Sequence, residues 1–210
     1  MDTIYAGSVV IAVITGPIGS GKSTLSHLLG GTTRRRSKYW ADIHGQRFFT
    51  RHVMQEYIKC ELFRDLIGAY VDAGTARDGS LIYVDRSPLE VVSVFNDKFV
   101  ADGTMKDIVA KNMKADMLHL VEQLRLNPGV KTALICMHVG EETMLDRIHK
   151  RGASATVSWN DSDYVDVGDR YEETFFRDSA AYFDGVIHVN NNGDPDVAGI
   201  LKQLHQLAGC

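Results

Sequence analysis

The stretch "VVIAVITGPIGSGKST", Val9 to Thr24, decides the fold. Its first seven residues form an apolar, β-branched run with no charge, the pattern of a strand buried on both faces. Three glycines follow, Gly16, Gly19 and Gly21, and then Lys22, Ser23 and Thr24. The spacing G-x-x-x-x-G-K-S between a strand and a helix is that of a phosphate-binding loop. Glycines let backbone N–H groups turn inward around an anion with no Cβ in the way. A helix beginning near Lys22 adds its partly positive end. The lysine reaches β- and γ-phosphates, and the Ser23 hydroxyl suits Mg²⁺. The expected nucleotide-binding stretch is therefore Gly16, Pro17, Ile18, Gly19, Ser20, Gly21, Lys22, Ser23 and Thr24, with ATP and Mg²⁺ as cofactors.

Further along, short apolar runs alternate with longer helical ones. "LIYVD" (Leu81 to Asp85), "TALICMHV" (Thr132 to Val139) and "VIHV" (Val186 to Val189) read as strands. Helices are expected over Lys22 to Leu29, Phe48 to Tyr70, Leu89 to Phe99, Met105 to Leu126, Glu141 to Arg151 and Ser162 to Phe183, with a last one after Pro195. In the second of these, Val53, Tyr57, Cys60 and Ile67 share one face. In the helix before Asn127-Pro128-Gly129, Val109, Met113, Leu120, Val121 and Leu124 recur at helical spacing. Apolar strands separated by helices imply a parallel sheet covered on both faces. Ligands then bind beyond the carboxyl ends of the strands, where both the glycine loop and Asp85 fall.

"VDRSPLE", Val84 to Glu90, supplies an acid and an arginine at such an end. Asp85 is placed to hold Mg²⁺ or its waters, or to accept a proton. Arg86 is placed to neutralise charge near a transferred phosphoryl group. Ser87 with Pro88 after it reads as a helix cap. In "MLDRIHKRGA", Met144 to Ala153, Arg147 and Arg151 lie four apart and share a helix face. The polar stretch "ASATVSWNDSD" after them suggests a lid over about residues 147–162, closing over triphosphate.

The chain has 210 residues, 44% hydrophobic and 24% charged, with a formal net charge of -4. It has room for one well-buried domain, expected to span residues 1–210. No global basic field argues for nucleic acid. The run Arg34-Arg35-Arg36 is local. Three cysteines, Cys60, Cys136 and Cys210, are widely spaced and form no C-x-x-C pair, which suggests free thiols in a reducing, cytosolic compartment. The apolar run near the start is too short to cross a bilayer. The 8 histidines form no H-x-x-x-H or Cys/His cluster. "NNNGDP", Asn190 to Pro195, reads as turn chemistry.

Together "GPIGSGKST", "VDRSP" and "MLDRIHKRGA" followed by a long helix resemble the deoxynucleoside kinases, which include the herpesvirus thymidine kinases and the bacterial deoxyadenosine and deoxyguanosine kinases. The resemblance covers most of the chain. It implies a P-loop kinase fold with roughly five parallel strands, helices on both faces and a small lid. It implies transfer of the ATP γ-phosphate to the 5′-hydroxyl of a deoxynucleoside, with thymidine one candidate, and a homodimer. By the same resemblance Arg86 lies near the 5′ end of the substrate, Arg147 and Arg151 are lid arginines, and Gln55 meets the nucleobase. "KYW", with Tyr39 and Trp40, matches an aromatic segment lining the nucleoside pocket.

The chain also departs from that pattern. The glutamate expected a few residues before the aromatic pair is replaced by Arg35, and Ala153 stands where a third lid arginine is usual. The interval from the phosphate loop to Trp40 is short, which suggests a truncated second strand. Asp42 and Asp85 are the acids nearest to taking over as base. Two other readings share the motifs. One is a nucleoside monophosphate kinase using the arginine run for the acceptor's phosphate. The other is a nucleotide-binding protein with impaired transfer. For the dimer, the helices over Leu89–Phe99 and Met105–Leu126, with Met105, Met113 and Met117, carry more apolar surface than one sheet face is expected to bury.

Overall fold

The computed structural model describes residues 8–30, 33–34, 51–151 and 159–209. Among these residues five parallel strands form one sheet in the order β2-β3-β1-β4-β5: β1 (Val9–Thr15), β2 (Thr33–Arg34), β3 (Leu81–Asp85), β4 (Val130–His138) and β5 (Gly185–Asn190). All seven residues of β1 are buried, as its unbroken apolar run requires. Of the second strand two residues are described, Thr33 and Arg34, which pair with Tyr83 and Val84 at the sheet edge.

The strand alternation sends the β1 side chains to two separate cores. Val9, Ile11 and Val13 face a layer that includes Leu66, Tyr70, Leu89, Val92, Met113 and Met117. Val10, Ala12 and Ile14 face Leu25 of α1 (Lys22–Leu28) and Ile200 and Leu204 of the last helix, Val197–Ala208. Cys136 lies in the first core, where burial pushes its thiol up to about 12.

The long helix α2 (Arg51–Ala73) turns a different face inward from the one its most visible apolar residues mark. Met54, Ile58, Leu62, Leu66 and Ala69 are buried, whereas Val53, Tyr57 and Ile67 are among the exposed large apolar residues and Cys60 is exposed. Each face has apolar residues at helical spacing, so periodicity alone did not choose between them.

After β3 the chain forms α3 (Pro88–Glu90), a π-helical turn (Val91–Phe95) and α4 (Asn96–Ala101). Ser87 caps it, accepting from the Leu89 N–H, and Pro88 follows at the first helical position, as the sequence indicated. Next comes α5 (Asp107–Arg125), where Leu120 is exposed rather than inward. The methionines expected at a dimer face are not there. Met105, Met113 and Met117 are all buried within the chain, as are Leu89, Val91, Val92, Val94, Phe95 and Phe99. A helix layer facing both the sheet and its own neighbours buries more apolar surface than sheet contact alone.

Beyond β4 lie α6 (Glu141–Lys150), α7 (Asp161–Arg170), a second π-helical turn (Tyr171–Phe175) and α8 (Phe176–Ser179). The terminal helix, α9, is the Val197–Ala208 element already met, and among the described residues no helix is long and apolar enough to cross a membrane.

Candidate active site

The phosphate loop leaves β1 at Gly16 and enters α1 at Lys22. Gly16 has φ +149°, and a Cβ there would come within 2.7 Å of the Met137 carbonyl oxygen. Gly21 has φ +87°, and its Cβ would collide with the side-chain amide of Asn191. Both positions need glycine for space as well as dihedral. Lys22 is buried and folded back on the loop. Its Nζ donates to Gly16 O at 2.6 Å, Pro17 O at 2.7 Å and Ser20 Oγ at 3.3 Å. Burial first, and the nearby Arg86 charge second, push its pKa from 10.5 down to about 7.

A cavity of about 70 Å³ opens at this loop, lined by Gly19, Gly21, Lys22 and Ser23 on one side and by Asp85, Arg86 and Arg151 on the other. The sheet register explains the meeting. Asp85 pairs with Ile14, so the end of β3 stands beside the end of β1. Asp85 Oδ1 is buried and has no hydrogen-bond partner among the described residues. The cavity thus holds three cationic side chains around one carboxylate oxygen whose bonding is unmet, a field suited to an anion with a proton or cation to share.

Arg86 has φ +79° and is the one non-glycine with positive φ among the described residues. Its N–H donates to Ile14 O at 2.8 Å, tying that backbone to β1. Arg86 donates to Glu90 Oε2 at 3.2 Å, one helical turn ahead. Burial works against the Arg86 charge, but Glu90, then Tyr171 and Asp85, outweigh it and hold its pKa above the ordinary guanidinium value.

The two arginines expected at a lid part company. Arg151, at the end of α6, lines the cavity. Arg147 instead braces the loop from outside, its guanidinium donating to Gly19 O at 3.3 Å and to Asn191 O at 2.8 Å. Asn191, just past β5, completes the brace by donating its side-chain N–H to Ser20 O at 2.6 Å. Gln55 is buried on α2, not on its outer surface, and is not among the residues lining the cavity. Tyr39, Trp40, Asp42 and Ala153 lie outside the described residues, as do residues 152–158 of the expected lid.

No family model matches the chain. Among curated proteins, a deoxyadenosine kinase of Lactobacillus acidophilus is 27% identical over 151 residues, covering 69% of this chain and 67% of that protein. Over that span the chain is similar to a deoxynucleoside kinase. Solved structures of a deoxyadenosine kinase from M. mycoides share its fold. The dATP-bound form has a TM-score of 0.68 at 22% identity, covering 92% of this chain and 98% of that one. The dCTP-bound form has a TM-score of 0.67 at 22% identity, covering 93% and 99%.

Three residues beside this site escaped the reading of the sequence. Glu90 had a usable signal, because Ser87 and Glu90 have the S-x-x-E spacing of a capping box, and that box forms here. Asn191 sits in a stretch that reads as plain turn chemistry. Tyr171 lies 81 positions from the Glu90 it bonds, so no local pattern marks it.

Proposed function

We propose that the chain is an ATP-dependent deoxynucleoside kinase, moving the γ-phosphate of ATP to the 5′-hydroxyl of a deoxynucleoside. The observation that carries this reading is the unpartnered, buried Asp85 oxygen in the same cavity as Lys22, Ser23, Arg86 and Arg151. Lys22 exchanges the Gly16 and Pro17 carbonyls for phosphate oxygens when nucleotide arrives. Arg86 and Arg151 neutralise charge on the moving phosphoryl group from the far side of the cavity. The Asp85 carboxylate faces the acceptor side and receives the hydroxyl proton. Ser23 and Asp85 also fit a Mg²⁺, since a hard cation takes oxygen ligands and the Asp85 oxygen has no other partner among the described residues. When bound it would offset the charge of the β- and γ-phosphates.

Gln55 is assigned to the nucleobase edge, since an amide offers one donor and one acceptor side. Tyr39 and Trp40 are assigned to the pocket wall, on the resemblance alone. Thymidine is among the acceptors to test, and an intracellular, reducing location is proposed from the three widely spaced cysteines. A two-fold dimer is also proposed. With the methionines buried, its apolar surface comes from Ile108 and Leu120 of α5 and Ile67 and Val71 of α2, which packs beside α5.

The test is direct: incubate the protein with Mg·ATP and each deoxynucleoside, then with each monophosphate, and separate the products. Phosphorylated deoxynucleoside is expected. Product from monophosphates alone selects a monophosphate kinase. Tight ATP binding with no product from either class selects a nucleotide-binding protein without transfer.

A further inference from the structure

Glu90 is 0% exposed and sits behind the cavity, not in it. A carboxylate offers about four acceptor positions, and four donors meet this one among the described residues. Oε1 accepts from the Thr15 hydroxyl and from the Ser87 N–H at 3.2 Å. Oε2 accepts from Arg86 at 3.2 Å and from the Tyr171 hydroxyl at 2.7 Å. Thr15 and Tyr171 are themselves 0% exposed. A group so saturated has no capacity left to take a proton from a substrate. A capping glutamate, for its part, needs only the N-cap N–H. The other three bonds tie together the end of β1, the arginine that lines the cavity and a helix 81 positions away.

The backbone around this carboxylate is unusual on every side. Arg86 holds a left-handed φ that a side-chain-bearing residue adopts at a cost, which persists only where surroundings enforce it. One π-helical turn begins at Val91, next to Glu90, and the other begins at Tyr171 itself. Such turns insert a residue into a helix, re-aim its side chains and recur at functional sites. The two turns pack against each other. Here they bring the phenol and the carboxylate into register.

From these contacts we infer that Glu90 is a positioning residue for phosphoryl transfer. It fixes the Arg86 guanidinium at the cavity wall, and Tyr171 locks Glu90 from behind. The inference rests on the role proposed above for Arg86.

The test uses Glu90→Gln, which keeps the shape and removes the charge. With Mg·ATP and an accepted deoxynucleoside, kcat is expected to fall by about 10²-fold, the scale of a misplaced reacting group, while KM for ATP changes little. In an Arg86→Ala background the same substitution should add no further loss, because its effect passes through Arg86. A kcat near that of the parent, or losses that multiply in the double variant, overturn the inference. A second measurement does not depend on turnover. The Arg86 Nη1–H resonance, assigned by its disappearance in Arg86→Lys, should be dispersed and slow to exchange in the parent and averaged in Glu90→Gln. An unchanged resonance overturns the inference. A parent that phosphorylates no deoxynucleoside overturns only the kinase reading, and the resonance still decides the positioning. Should Glu90→Gln not fold, Tyr171→Phe retains the charge and loses one bond. It should then lower kcat and speed exchange of the same resonance, and no change in either overturns the inference.

Discussion

The side-chain amide of Asn191 donates to the carbonyl of Ser20 at 2.6 Å, across 171 positions of sequence. The loop that receives phosphate is thus held by the far end of the sheet. Asn191→Ala leaves that buried carbonyl without its donor, at a cost of about 1–3 kcal/mol. We expect KM for ATP to rise roughly tenfold, since about 1.4 kcal/mol is one decade, with a smaller change in kcat. Steady-state kinetics with ATP varied against a fixed acceptor checks this. An unchanged KM would remove Asn191 from the loop's support.

Lys22 carries a proton prediction. With its pKa at about 7, Lys22 is mostly neutral at pH 8 in the free protein. A phosphate oxygen placed against it raises that pKa, so nucleotide binding at pH 8 should take up a proton. Calorimetry in buffers of different ionisation enthalpy reads this, and Lys22→Ala should abolish both the uptake and the transfer. For stability the sign is the reverse of an ion pair. Between about 7 and 10.5 the unfolded chain binds the extra proton, so the Lys22 contribution to stability rises with pH across that window.

Asp85→Asn tests the base. Loss of a general base typically costs about 10²–10⁴-fold, and we expect transfer to fall by at least that while the melting temperature stays close to the parent's. The fold should tolerate the change because the Oδ1 oxygen satisfies no donor among the described residues. Asp42→Asn should be mild. A dead Asp42→Asn with an active Asp85→Asn would move the base role to Asp42.

Lys98 is an ionic staple between α4 and α7. Its Nζ lies 2.7 Å from Asp102, 2.9 Å from Asp163 and 3.5 Å from Asp166, and its side chain is 6% exposed. Burial opposes the charge, but the bonds to Asp102 and Asp163 outweigh it and raise the pKa to about 12. Lys98→Met should cost about 1.5–3 kcal/mol, the scale of hydrogen bonds to charged groups, or about 2–4 °C of melting temperature per kcal/mol. A raised lysine pKa stabilises fully below 10.5 and loses that as pH climbs through about 12. Asp163, lowered by its bond to Lys98, loses its share as pH falls below 3.8. Melting curves of both proteins across pH should therefore converge at the two extremes. A constant gap would reject the ionic origin.

Light scattering at micromolar concentration tests the dimer. A two-fold mass is expected, and Ile108→Glu should shift it toward the monomer. A monomeric mass in the parent would refute the proposal.

The glycine loop and the strand before it were legible because their physics is local. An unbroken apolar run must be buried, and G-x-x-x-x-G-K-S sets its own backbone. Asp85 and Arg86 were legible as a place, since both lie at the carboxyl end of a strand beside that loop. Their partners were not. Arg86 is held by Glu90, because a left-handed backbone and a helix start bring Glu90 within reach of its side chain. Arg147 and Arg151 share a helix face by spacing. Only the loop's packing against α6 and the end of β5 sent one to the cavity and the other to the carbonyls of Gly19 and Asn191. The sequence by itself determined the phosphate loop, the alternation of strand and helix, and the resemblance to the deoxynucleoside kinases. The tertiary structure decided which face of α2 turned inward, where the methionines of α5 were buried and which residues hold Arg86 and the loop in place. Those outcomes depend on contacts between segments up to 171 positions apart, for which a single sequence has no local period.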